Sequence, residues 1–274
     1  MAQTTIHVVA PDLASAWLEA MKRVFFAGKR IKTEYDREGD PPSFDRTALI
    51  EITSPILPGK KEAIPHIADM YGVMSIRGGY LGEIFGDKDS QIWESETSFP
   101  YTYHDRLWNY KSFNKEDTKL NPSLPLGTEI LSINQIDYII KKLAEASHSR
   151  RAQAITWRPY ADPFREHCPC LQRLWGRVMD DKLHLHVSWR SRDLFRAFGA
   201  NAVGMIAIQK QIAGELGVEL GSYCDYSDSL HVYGQKKVIE EVIKMFDRVQ
   251  NRQGLEVEYQ EKLLEYKQVL GLTT

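Results

Sequence analysis

The sequence has little cysteine: three residues in 274, with Cys168 and Cys170 only two positions apart. So few thiols cannot build a disulfide framework, and they point to a reducing compartment. It has no excess of charge of either sign. Thirty-five basic residues face 37 acidic ones for a net charge of -2, so no general attraction draws the chain to nucleic acid or to an anionic membrane surface. Any anion site must therefore be a local arginine cluster. Nowhere do about eighteen apolar residues run uninterrupted, and the opening MAQTTIHVVAPDLASAW has neither a charged leader nor a long apolar stretch. The expectation is a cytoplasmic protein with no membrane and no nucleic-acid partner. With 43% hydrophobic and 26% charged residues the composition excludes a disordered, collagenous or coiled-coil chain. The length buries a substantial core. No internal repeat or low-complexity linker breaks it, so a single mixed α/β domain over 1–274 is expected.

Asp12 caps a helix whose apolar residues Leu13, Trp17, Met21, Val24 and Phe25 fall near a 3.6-residue period, with Gly28 as its stop. A polar turn segment runs from Tyr35 to Asp45, Thr47 to Ile52 reads as a strand, and a helical stretch is expected around Ala63 to Met74. Residues 86 to 127 are rich in Gly, Asp, Ser, Asn and Pro, with six aromatics between Trp93 and Tyr110; so long a loop in a compact chain is usually functional. Ser132 and Gln135 make a capping box before Ile136, Ile140 and Leu143. Ala152 to Trp157 alternates as a strand, and Leu171 to Met179 with Lys182 to Trp189 reads as a hairpin turning at Asp180 and Asp181. A helix over Ala202 to Leu216 stops at Gly217, Leu230 to Tyr233 is a short strand, and two charged amphipathic helices occupy roughly 235 to 268.

The chemistry-bearing stretch is Arg150 to Asn201. Cys170 follows Pro169 at a strand start, an accessible position, and a thiol is a strong nucleophile only as the thiolate, which a nearby guanidinium stabilises. Arg190, at the end of the paired strand, is placed to do so; the plainer alternative is that Cys170 packs as a small hydrophobe. Glu166, His167, Cys168 and Cys170 make a poor metal set, lacking a second cysteine pair, and no metal is expected. Arg150 with Arg151, and Arg190 with Ser191, have the donors for a phosphate, although single arginines are commonly solvated surface residues. Asn201 carries a donor and an acceptor in an otherwise apolar segment, which suits reading an amide edge such as a pyrimidine or capping a helix. His231 and Tyr233 share a strand face, to grip a sugar hydroxyl or to pack.

Taken together, these residues and their spacing, Ser149-Arg150-Arg151, Pro-Cys170, Arg190-Ser191-x-Asp193, Asn201 and His231-x-Tyr233, resemble the thymidylate synthase family. The match is specific over 149–233, looser back to Tyr103 and Trp93, and poor at both ends, 235–274 reading as divergent C-terminal helices. The resemblance implies a mixed sheet with flanking helices (an α/β, or α+β, fold), sheets packed back to back in a homodimer, and active sites shared between subunits. It implies that Cys170 attacks C6 of a pyrimidine nucleoside monophosphate, that Arg190 holds thiolate and 5′-phosphate beside Ser191, and that Arg150 and Arg151 come from the partner subunit. Asn201 is similar to the residue that reads the N3/O4 edge, and His231 and Tyr233 to those on the ribose. Asp193 resembles the aspartate that meets the pterin of 5,10-methylenetetrahydrofolate, the co-substrate. Tyr103 is similar to the tyrosine that assists proton removal at C5, and Trp93 to the tryptophan beside the folate. An N-terminal phosphate arginine falls to Arg37 ahead of Arg46, and the catalytic glutamate to Glu83 ahead of Glu62 and Asp69.

The chain departs from the family pattern as well. Leu171 stands where histidine usually follows the cysteine, Trp189 where glutamine precedes Arg-Ser, and Glu96 near the place of a second tryptophan; the closing tail is not visible in QVLGLTT. Three functions are in play. The first is methylation of dUMP to dTMP. The second is 5-hydroxymethylation of dUMP, dCMP or CMP, with water taking the place of the hydride. The third is nucleotide binding without turnover. Asn201 favours uracil and methylation, whereas the missing tail and second tryptophan favour entry of water.

Overall fold

The computed structural model describes residues 5–34, 36, 38–61, 63, 80–86, 101–113, 115, 117–121, 123–124 and 131–272. Its centre is a mixed sheet, eight strands among the described residues, running β1(Thr5–Ala10), β3(Ser43–Ile52), β8(Glu219–Val232), β6(Lys182–Trp189), β5(Leu171–Met179), β4(Gln153–Ile155). Two short strands lie off that path: β2(Lys29–Ile31) pairs with β3, and β7(Arg192–Asp193) with β8. The long β8 joins the halves, antiparallel to β3 and parallel to β6.

Helix α1(Leu13–Phe25) forms because its buried residues, Leu13, Ala16, Trp17, Ala20, Met21, Val24 and Phe25, recur at helical spacing. Asp12 caps it as the sequence suggests, its carboxylate accepting from the Ser15 amide at 2.9 Å. The β5–β6 hairpin also has its expected boundaries. Asp180 and Asp181 both adopt positive φ, 51° and 57°, the two-residue reversal whose twist matches paired strands and which short polar side chains tolerate. Leu183, Leu185, Val187 and Trp189 then face the core.

Helices α2(Leu81–Phe85) and α3(Tyr103–Trp108) pack against each other, α3 also against β4, and are followed by α4(Asp117–Leu120) and α5(Gln135–Glu145). The expected capping box is not the cap. Asn134 is, accepting from the Asp137 amide at 3.0 Å, because Gln135 is buried and spent elsewhere: its amide donates to the carbonyls of Arg106 and Ile155 at 2.9 and 2.7 Å. Helix α6(Phe198–Leu216) begins four residues earlier than its apolar run suggests and ends on left-handed Gly217 as expected. Its buried Gln209 amide donates to the carbonyls of Leu183, Gly221 and Ser222, fastening the helix to β6 and β8.

The expected short strand at Leu230 to Tyr233 is the end of the fourteen-residue β8, and the strand expected over Ala152 to Trp157 is confined to Gln153–Ile155. Strand β3 begins inside the expected polar turn segment, at Ser43. The helix expected around Ala63 to Met74 lies outside the described residues beyond Ala63. The two terminal helices, α7(Lys236–Gln253) and α8(Val257–Val269), are present. An aromatic cluster of Phe25, Phe26, Phe44, Phe246, Tyr259 and Tyr266 seats them against α1 and β3. Among the described residues no helix is long and apolar enough to cross a membrane.

Candidate active site

Cys170 immediately precedes β5 and Arg190 immediately follows β6, so strand pairing sets them side by side: the Arg190 amide donates to the Cys170 carbonyl at 2.9 Å. The Arg190 guanidinium reaches back over the same turn, Nε to the Pro169 carbonyl at 3.0 Å and Nη2 to the Cys168 carbonyl at 2.9 Å. It thereby holds the backbone that presents the thiol. Burial pushes the Cys170 thiol up from its ordinary value, opposed by the positive charges of Arg190 and Arg192. The net direction is upward, so Arg190 lowers the cost of a thiolate here without making it the resting form.

Tyr103 stands at the start of α3, where Thr102 Oγ1 caps the helix by accepting from the Asp105 amide at 3.0 Å. Its hydroxyl accepts from the Leu171 amide at 3.4 Å, next to the cysteine. Its ring lies edge-on to Trp189 and tilted against Tyr101, centroids 5.9 and 5.8 Å apart. The Tyr101 hydroxyl donates to the Cys168 carbonyl at 3.4 Å and is hydrogen-bonded to that of Tyr103. Burial raises both phenols, so both are neutral hydroxyls.

Asn201 occupies the first turn of α6, and its Nδ2 donates to Tyr80 Oη at 2.7 Å. Three residues on from Tyr80, Glu83 is raised by burial to about 6. The tool for holding a proton near neutrality is therefore present at this position.

Asp193 of β7 and His231 of β8 are in register. Asp193 Oδ1 accepts from the amides of Phe195 and Arg196, both at 2.9 Å, and its Oδ2 takes no hydrogen bond among the described residues. Burial raises its carboxyl, and the amide donors and His231 work against that. His231 is only 5% exposed, neither ring nitrogen has a hydrogen-bond partner among the described residues, and the Tyr233 ring stands edge-on at 4.8 Å. A buried imidazole with both nitrogens unsatisfied costs stability unless something polar binds there. A sugar hydroxyl or a pterin fits such unspent donors and acceptors. Ser191, half-buried, sits between Arg190 and Arg192.

Other predicted residues are not drawn in. Arg150 and Arg151 are exposed, at the β4 edge, where Trp175 Nε1 donates to the Arg150 carbonyl. Trp175 lies five residues along β5 from Cys170, about 17 Å at roughly 3.4 Å per residue. Arg46 donates to the Ala27 carbonyl. Arg37, Trp93, Glu62 and Asp69 lie outside the described residues.

Sequence reasoning missed Tyr80, Tyr101 and Arg192. Arg192 is buried and clamped between the rings of Trp189 and Phe198, its charge 4.2 Å from each centroid. It pairs with Asp225, which also accepts from the Tyr223 hydroxyl at 2.7 Å. The available signal was an arginine alternating with Arg190 across a chain reversal, and an aspartate at an inward position of β8. Among the described residues no group of three or more His, Cys, Asp or Glu side chains is placed to hold a metal.

At the Cys170 end of β5 a thiol, a guanidinium and two buried phenols come together, and Tyr80, which Asn201 bonds, is close enough for its charge to act on Tyr103; this is a candidate thiol site. The thymidylate synthase family model matches residues 62–268, and the chain belongs to that family, one of folate-dependent one-carbon transferases. It is 33% identical over 230 residues to a protein of Methanocaldococcus jannaschii named "Putative thymidylate synthase", covering 81% of this chain and 88% of the relative. A protein of the same name from Methanothermobacter thermautotrophicus is 27% identical over 239 residues, covering 85% and 96%.

Proposed function

We propose that the protein methylates dUMP to dTMP through a covalent bond between Cys170 and C6 of the base. The observation that supports this most directly is the convergence of Cys170, Arg190 and Tyr103 on one turn. In this reading the Cys170 sulfur adds at C6, and the displaced electron pair moves through C5 to O4, making C5 nucleophilic. Asn201 steadies the N3/O4 edge as that charge develops. The 5′-phosphate meets Arg190 and Ser191, with Arg150 and Arg151 supplied by the partner subunit, and the ribose meets His231 and Tyr233. Bound methylenetetrahydrofolate supplies the one-carbon unit and, for methylation, the hydride. Asp193 holds a pterin by its open oxygen, Tyr103 aids departure of the C5 proton, and Glu83 orders protons around the base. The thiol leaves as the C5–C6 double bond returns.

A second reading, hydroxymethylation, is favoured by one observation. The terminal helices that could have acted as a closing lid are instead committed to the Phe25 and Phe26 cluster, so water has one barrier fewer. Incubation with methylenetetrahydrofolate and dUMP, dCMP, UMP or CMP in turn, followed by mass analysis, separates the readings. The expected result is dTMP with release of dihydrofolate, which absorbs differently in the near ultraviolet. A modified nucleotide with tetrahydrofolate returned replaces methylation by hydroxymethylation.

We further propose a homodimer with sites shared across the sheet. The face of the sheet turned away from α1 and α6 carries Val9, 57% exposed, and Tyr226 and Met179, both 37% exposed; in an isolated chain such a surface favours association. Arg151→Ala and Cys170→Ser chains, each inactive alone, are expected to regain about one working site per mixed dimer. An active monomer in the ultracentrifuge would refute this.

A further inference from the structure

The carboxamide of Asn201 is held from one side. Tyr80 Oη takes the 2.7 Å hydrogen bond from its Nδ2, and the phenol ring reaches it because residue 204, one helical turn along α6, is glycine. A Cβ at Gly204 would stand 2.9 Å from Tyr80 Cε1 and 3.2 Å from Ile84 Cγ1, closer than packed side chains tolerate. Gly204 is thus a socket for the ring, and Tyr80 and Ile84 fill it together from a segment far away in sequence. The charges of Glu83 and Arg192 both act on the phenol.

A carboxamide has a donor end and an acceptor end of nearly equal size, and a half-turn exchanges them at almost no steric cost. With Nδ2 given to Tyr80, the edge left for a ligand offers Oδ1 and the second Nδ2 hydrogen, an acceptor beside a donor. Uracil matches it with N3–H and O4. Cytosine, with a bare N3 and an amino group, does not. Turned over, with Tyr80 donating to Oδ1, the amide would lead with its nitrogen and suit the bare N3 of cytosine. A phenol can bond in either sense, and here its oxygen accepts from Asn201 Nδ2, while the negative charge of Glu83 acts on it through space.

We propose that Tyr80 determines the base preference of the site: seated in the Gly204 socket, it fixes the sense of the Asn201 amide and so selects uracil over cytosine nucleotides. This rests on Asn201 being the residue that reads the base. In this reading Tyr80 acts through Asn201 and is a positioning residue.

Titration calorimetry with dUMP and with dCMP tests it on the wild type, Tyr80→Phe, Gly204→Ala and Asn201→Ala, with thermal melting as the check on folding. Tyr80→Phe removes only the hydroxyl; Gly204→Ala keeps the hydroxyl and displaces the ring. The wild type is expected to prefer dUMP, and both variants to lose that preference by on the order of tenfold, chiefly through weaker dUMP binding. A purely structural role would weaken both nucleotides alike. If Tyr80→Phe, or Gly204→Ala should the first fail to fold, keeps the wild-type ratio while Asn201→Ala loses it, the role of Tyr80 is refuted and the reading of Asn201 stands. If Asn201→Ala keeps the ratio, or the wild type shows no preference for dUMP, the underlying reading falls and takes the proposal with it.

Discussion

Replacement of Cys170 by serine is expected to abolish turnover, by on the order of 10³-fold or more, the scale on which loss of a nucleophile acts, while dUMP binds within a few-fold of the wild type. The hydroxyl is a far weaker nucleophile near neutral pH, yet it disturbs little, because the turn is held through its backbone. Arg190 bonds the carbonyls of Cys168 and Pro169, and its own amide bonds that of Cys170. The same geometry separates the two neighbouring cysteines. What Arg190 and Tyr101 grip at Cys168 is the carbonyl and not the thiol, so Cys168→Ser should keep most activity. Steady-state rates with equilibrium binding for both variants decide the matter. Wild-type turnover in Cys170→Ser, or an inactive Cys168→Ser, would remove the thiol from the centre of the site. Because burial raises the Cys170 thiol, the wild-type rate should climb with pH on the alkaline side of neutrality.

Asp162→Ala should destabilise the fold by about 3–5 kcal/mol, the cost of leaving one partner of a buried ion pair alone. Arg106 and Asp162 are 1% and 0% exposed at their side chains, with two nitrogen–oxygen contacts of 2.9 and 2.7 Å. Asp162 accepts also from the Arg158 amide at 2.7 Å, and Arg106 donates to the Thr156 carbonyl at 2.8 Å. Arg106 lies one turn from Tyr103 on α3, so the pair secures the helix that carries the phenol to the cysteine. Urea unfolding followed by circular dichroism measures the loss. A loss below about 1 kcal/mol would mean that water reaches Arg106 and that the pair is effectively a surface one.

The sequence was most legible where one physical signal acted alone. Alternation along β6 and the paired aspartates specify the β5–β6 hairpin, and with it the meeting of Cys170 and Arg190. Helical periodicity plus Asp12 specify α1. Strand β8 was legible only at its end because its inward positions include Asp225, which pairs with Arg192, and Ser227, whose hydroxyl donates to Asp225; these polar groups break the alternation that marks a half-buried strand. The helix cap moved from Ser132 to Asn134 because tertiary contacts claimed Gln135. Of the candidate site, spacing pointed to Cys170, Asp193, Asn201 and His231, and the looser resemblance to Tyr103. It could not point to Tyr80 or Tyr101, whose roles arise from contacts across the fold, although Gly204 three residues past Asn201 was a visible trace of the first.

The position of β8 also bears on how the chain is assembled during synthesis. Phe44 pairs with Val232 and Ile52 with Tyr223, so β3 waits for about 170 residues of further chain before its antiparallel neighbour exists, roughly 10–30 s at ordinary elongation rates. Through that interval its bonding edge lacks the partner it has in the finished sheet, a row of unpaired amides and carbonyls open to other nascent chains. Emergence of β8, rather than of the first half, is the event that lets the sheet close. Folding should thus be dominated by long-range strand pairing and slow for its size, with early truncations prone to edge-to-edge aggregation.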